Sequence, residues 1–163
     1  MTEIEKELRV QLEAVKGAGL SISFINSHQH LHLLPAIADI VINLAKENNI
    51  NYIRTVSEPF SLKAGFFRGI QSIFLSFLSR LAKRKIKKAG LKTNDFFIGF
   101  LHAGNLEKED IDLVQELTEK YPDKLIELGC HPGFESERLK EKYKSWGNYN
   151  WQKELKTLEN FKN

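Results

Sequence analysis

Four short runs rich in apolar and β-branched residues, each followed by a stretch of helical periodicity, constrain this chain to an α/β fold. Residues 21–26 alternate like a half-buried strand, and 51–56 (Asn51-Tyr52-Ile53-Arg54-Thr55-Val56) combine β-branched and aromatic side chains. Residues 96–101 are nearly all apolar, as in a strand covered on both faces, and 124–130 form a fourth strand. Between and around them the apolar residues recur at helical spacing. Ile4, Leu8, Leu12 and Val15 make a first helix stopped by Gly17 and Gly19. Ile37, Ile40, Val41 and Leu44 mark a helix over 35–47 that opens on Pro35 and ends at Asn48-Asn49. Ile70, Ile73, Phe74, Phe77, Leu78 and Leu81 make the apolar stripe of a long helix ending before Gly90. Ile111, Val114 and Leu117 belong to a helix over 107–121, and a last helix spans about 151–161. Repeated strand–helix order predicts right-handed crossovers and a parallel sheet or barrel.

At 163 residues, a single domain over 1–163 with a real core is expected. A net charge of +3 is too small to imply a nucleic-acid partner by itself. The lone Cys130 excludes an intrachain disulfide and fits a reducing compartment. The acidic start Thr2-Glu3-Ile4-Glu5-Lys6-Glu7 is no signal peptide, and no apolar run is long enough for a membrane span. A cytoplasmic location is therefore expected.

All five histidines lie just beyond a predicted strand: His28, His30 and His32 after the first, His102 after the third, His131 after the fourth. In a parallel α/β protein those loops sit at the carboxyl ends of the strands, where active sites are built. The rings are expected to converge on one rim. Along an extended stretch alternate side chains share a face, so the triplet is expected to touch a metal or a substrate together. His102 on its own reads as a hydrogen-bonded structural residue. Cys130 points away from His131 in an extended strand and reads as a small buried apolar residue rather than a nucleophile. The basic run 80–88 has the charge to touch anionic lipid or nucleic acid. With no aromatic-interleaved groove beside it, it reads as a solvated helix face.

The segment Phe24-Ile25-Asn26-Ser27-His28-Gln29-His30-Leu31-His32-Leu33-Leu34-Pro35 closely resembles the histidine-rich motif of the YdjC-like carbohydrate deacetylases, which include chitooligosaccharide and hopanoid-biosynthesis deacetylases. Tyr52-Ile53-Arg54 before Glu58-Pro59 is similar to that family's strand ending in arginine. Thr93-Asn94-Asp95-Phe96-Phe97 through His102-Ala103-Gly104 resembles its central strand and glycine loop. Glu127-Leu128-Gly129-Cys130-His131-Pro132-Gly133 resembles its late motif, and Tyr149-Asn150-Trp151-Gln152-Lys153-Glu154-Leu155 its tail.

The resemblance implies a distorted (β/α) barrel with parallel strands, here partial and lacking the first strands and the last. It implies metal-dependent removal of N-acetyl groups from carbohydrates. One divalent ion, Mg2+ or Zn2+, polarises the acetamide and activates water. His28 is the implied metal ligand. His131 is the implied catalytic acid or orienting donor at the leaving nitrogen. His30 and His32 are implied to contact substrate or support the ligand loop. Arg54 orients a substrate or carboxylate, or makes a structural ion pair.

The family's opening Asp-Asp strand and second metal-binding histidine have no counterpart, and Asn26 replaces an aspartate. The chain thus reads as an amino-terminally truncated member, inactive unless a complementary amino-terminal fragment supplies the missing aspartate. Homodimerisation through exposed strand edges is the other partnership considered. A different metal-dependent hydrolase such as a phosphoesterase, or a non-catalytic barrel remnant binding a partner chain, are the alternative readings.

Overall fold

The computed structural model describes residues 2–59, 65–144 and 149–161. Phe60, expected in the loop after the second strand, lies outside them. The described residues are mixed α/β, mostly helical, with short parallel strands that form two two-stranded sheets and, among them, no closed barrel. It divides into two compact units, residues 1–56 with 74–94 and residues 57–73 with 95–163.

In the first unit, α1 (Glu3–Gly17) starts at Thr2, whose side chain accepts from the Glu5 amide, and buries none of its residues. Ion pairs from Arg9 to Glu5 and to Glu47 connect it to α2 (Pro35–Glu47). Such exposed pairs stabilise weakly. Pro35 suits the first turn of α2 because its missing N–H would have no helical partner there. The helix ends at Asn48, followed by Asn49 in the left-handed region at φ 55°. Val41, Leu44 and Ala45 of α2 are buried, as are Ile50, Ile53 and Val56. Each large apolar side chain so buried contributes about 1.5–3 kcal/mol.

Strand β1 (Phe24–Ile25) pairs in parallel with β2 (Tyr52–Ile53). On its other edge β2 is bridged to Lys92, with Ile53 N–H donating to the Lys92 carbonyl at 3.0 Å. Both strands are shorter than expected. Beyond β2 the chain exchanges strand pairing for side-chain bonds. Asn94, fully buried, accepts from Thr55 N (2.7 Å) and donates to Thr55 O (2.7 Å). Ser79 accepts from Val56 N (2.9 Å) and donates to Val56 O (2.6 Å).

That contact decides which face of α3 (Phe66–Lys88) turns inward. Leu75, Leu78, Ser79, Ala82 and Ile86 are buried, whereas Ile70, Ile73, Phe74 and Phe77 of the expected core stripe are exposed. Small Ser79 and Ala82 let the helix approach residues near the strand, which bulky Phe74 and Phe77 would prevent. Apolar periodicity alone gave the wrong face.

In the second unit, β3 (Phe96–Ile98) pairs in parallel with β4 (Ile126–Leu128). Phe97 N–H donates to the Ser57 carbonyl on the other side. Gly99, at φ 111°, passes so close to Gly129 that a β-carbon would sit 2.1 Å from its carbonyl oxygen. Helix α4 (Lys108–Lys120) has the expected extent. Glu107 caps it, with Asp110 reaching back to the Glu107 amide. The short α5 (Glu137–Lys142), begun by Ser136 capping Leu139 N, was not anticipated, while α6 (Trp151–Phe161) lies where expected. Among the described residues, no helix is long and apolar enough to cross a membrane.

Candidate functional site

The histidine triplet is not extended. Residues 28–33 form two tight 3-10 turns joined at a kink where Gln29 (φ 52°) and His30 (φ 59°) are left-handed. The alternation that would align three side chains therefore does not apply. Ser27 is the local cause. Its hydroxyl accepts from His32 N–H (2.9 Å) and lies 2.8 Å from His32 Nδ1, drawing residue 32 back over residue 27. The other ring nitrogen, Nε2, is 2.8 Å from the Arg54 carbonyl oxygen. A carbonyl only accepts, so Nε2–H donates there, and the Ser27 hydroxyl can then donate to Nδ1.

His32 is buried with both ring nitrogens taken up inside the protein. It ties the turn to the end of β2. The His30 ring lies edge-on to it, 6.4 Å away, and is half-buried, while His28 is exposed at the start of the turn. Arg54, half-buried, meets the triplet through its main chain. His28, His30, His32 and Arg54 thus belong to the first unit.

His131 belongs to the second unit, in the exposed loop leaving β4. Its amide donates to Glu154 Oε2, and its Nδ1 is 4.0 Å from the same oxygen, an ion pair when the imidazole is protonated. Glu154 is 1% exposed, and its Oε1 accepts from Leu106 N (3.2 Å). One carboxylate on α6 therefore fixes the loops after β3 and after β4. The segment before α6 adds to this clamp: Asn150 N–H donates to Gly104 O (2.6 Å), and Gly133 N–H to Trp151 O (3.1 Å). The Tyr149 ring stands edge-on to His131 at 5.2 Å. Gly104 (φ 85°) admits that tyrosine, since a β-carbon would come within 2.5 Å of its ring. Cys130 is half-buried rather than buried as expected.

Two further carboxylates carry structure that residue types alone did not reveal. Asp110 Oδ1 is 2.8 Å from His102 Nδ1, and its other oxygen caps α4. Such a carboxylate fixes the orientation of an imidazole and leaves Nε2 on the other side of the ring. Glu58 accepts three main-chain N–H groups, from Gly99, Phe100 and Leu101, each at 2.9 Å. Burial pushes its carboxyl above the ordinary glutamate range, and the three N–H bonds oppose that rise without cancelling it. The Glu58-Pro59 pair beyond the second strand was the only sequence signal for Glu58. Glu154 and Asp110 looked like ordinary surface charges of amphipathic helices.

The donor set does not make a metal centre. Among the described residues, no three His, Cys, Asp or Glu side chains are grouped so as to hold an ion, and catalytic sites normally use three protein ligands.

Comparison with known proteins agrees with the motifs. A carbohydrate deacetylase of Xenopus laevis is 28% identical over 159 residues, covering 83% of this chain and 50% of that protein. One from Clostridium beijerinckii is 26% identical over 163 residues, covering 97% and 53%. One from Brevibacillus brevis is 50% identical over 48 residues, covering 29% of this chain and 19% of that protein. The chain thus spans about half the length of its long-matching relatives. No solved structure gives a significant match. The family described as YdjC-like protein matches residues 1–161, so the chain, clamped loops and histidine turn included, belongs to the YdjC-like family.

Proposed function

We propose that the chain works in carbohydrate deacetylation, with His131 as proton donor to the leaving nitrogen. The family match across residues 1–161 carries this reading, and relatives named carbohydrate deacetylase support an acetylated carbohydrate as the substrate class, for which we take an oligosaccharide. The strand–helix order and parallel pairing support a (β/α) barrel relationship, and we take residues 1–163 as one partial domain of that kind. A cytoplasmic location, supported by the single Cys130, belongs to the same reading.

Hydrolysing an acetamide replaces its C–N bond with a C–O bond from water, and the nitrogen must gain a proton to depart as an amine. His131 suits that task. Its ring is exposed, its main chain is fixed by Glu154, and Tyr149 limits its swing. Arg54 and His30 are assigned to substrate contact and His32 to support of the turn.

His28 is assigned as one ligand of a divalent ion, Mg2+ or Zn2+. Among the described residues no three such side chains are grouped to complete the site, so residues 1–163 by themselves are expected to bind acetylated oligosaccharide without releasing amine.

Calorimetric titration with an N-acetylated chitooligosaccharide, beside an amine-release assay with and without chelator, tests this. Sugar binding weakened by His131→Ala, with no amine released by the chain alone, is the expected result. Failure to bind acetylated sugar, or amine release indifferent to chelator, would overturn it.

A further inference from the structure

We infer that the outer face of α3 docks on the surface of an anionic lipid bilayer. At about 100° per residue, Phe66, Ile70, Ile73, Phe74 and Phe77 fall in one sector of this uninterrupted helix, with Phe67 at its margin. All six are 49–82% exposed. Taking ~200 Å² for an aromatic side chain, they present on the order of 700 Å² of apolar surface. The largest patch on an ordinary monomer is about 300–600 Å². The buried face, Leu75, Leu78, Ser79, Ala82 and Ile86, lies about 160° around the helix. The stripe therefore runs along the back of α3, where a strand added beside β1 or β2 would not reach it.

The charges choose the occupant. Toward its carboxyl end the same sector continues with Arg80, Arg84 and Lys88, and Lys87 flanks it. Helix α3 has seven Arg or Lys residues and no Asp or Glu. Lys85 is paired with Asp39, and Lys83 donates to the Asn94 carbonyl, but Arg80, Arg84, Lys87 and Lys88 make no ion pair among the described residues. A second copy of α3 would offer these cations no carboxylate. A bilayer with anionic headgroups offers both halves of the face what they lack: acyl chains for the phenylalanines and phosphates for the arginines and lysines. The helix would lie flat in the interface, and the core-packed face would stay where it is.

The test is co-sedimentation of the protein with vesicles of phosphatidylcholine alone and of phosphatidylcholine mixed with phosphatidylglycerol, at low and high salt. Binding to the mixed vesicles alone, weakened by salt, is expected. Arg84→Glu with Lys88→Glu should weaken it about tenfold or more, because each cation near an anionic surface is worth most of a factor of ten. Phe74→Ser with Phe77→Ser should abolish it. These side chains are exposed, so circular dichroism should stay that of the parent, and the charge variant decides alone if the serine variant fails to fold. No binding to either vesicle, or equal binding to both that the variants leave unchanged, overturns the inference. So does a dimer in sedimentation that Phe74→Ser with Phe77→Ser dissociates while the parent ignores vesicles, since the occupant would then be a second copy.

Discussion

Replacing Asn94 with leucine isolates the cost of leaving one peptide unit without partners. The two side chains share the same branching and number of heavy atoms, and leucine is the bulkier, so no cavity forms for a water to enter. Asn94 and Thr55 are both fully buried. The asparagine carboxamide accepts from Thr55 N and donates to Thr55 O, both at 2.7 Å, and accepts from Thr55 Oγ1 and Thr93 Oγ1, both at 3.2 Å. Leucine removes all four bonds. The two hydroxyls still have each other at 3.1 Å. The main-chain N–H and C=O of Thr55 have nothing comparable among the described residues, and a buried polar group left unsatisfied costs about 1–3 kcal/mol.

The expected loss is therefore about 3–5 kcal/mol, a large fraction of the ~5–15 kcal/mol that holds a domain together. For a chain of this size it corresponds to a melting temperature lowered by roughly 10–15 °C. Urea unfolding followed by circular dichroism measures it, with the slope against urea checked for constancy. Asn94→Ala should cost less, because the smaller side chain leaves room for a water between the two Thr55 groups. A loss below about 1 kcal/mol in Asn94→Leu at unchanged slope would refute the reasoning, since Thr55 would then have partners the buried network does not show.

The folded state raises the Glu58 carboxyl above its unfolded value, so its contribution is fully present below the ordinary glutamate range and is lost as pH rises through the raised value. The stability difference between the parent and Glu58→Gln, followed by urea unfolding across that window, should shrink with rising pH; a flat difference would contradict this. Gly104→Ala must push Tyr149 off His131 and strain a left-handed residue by about 1–2 kcal/mol. It should shift the His131 ring resonances in NMR, and unchanged resonances would refute the contact. His32→Ala should cost about 2–4 kcal/mol through its two ring bonds and its buried volume, whereas His28→Ala, exposed at the same turn, should stay within ~0.5 kcal/mol in the same urea assay.

Local signals were legible where residue types speak for the backbone. Pro35 and Asn48-Asn49 bracket α2, and Glu107 with Asp110 opens α4 within a residue of its expected start. The strand positions were legible too, but their lengths were not, because Asn94 and Ser79 take over the bonding of Thr55 and Val56 from strand partners. The turn at His28, His30 and His32 was misread as extended because its shape comes from Ser27 folding back onto residue 32, which no alternation pattern reports. In α3 the periodicity was right and the face was wrong, since serine and alanine at the contact outrank phenylalanine when backbones must come close. Within the candidate site, the histidines announced themselves by type. The acids that orient them, Glu154 and Asp110, are distant in sequence or hidden in a cap and become visible only through the fold.

Because the amide of His131 is held by a carboxylate 23 residues further along, the loop takes this shape only once α6 has docked. During synthesis the histidine leaves the ribosome 23 residues ahead of the carboxylate that holds it. Removing Glu154 would keep every histidine discussed and release the loop that carries one of them.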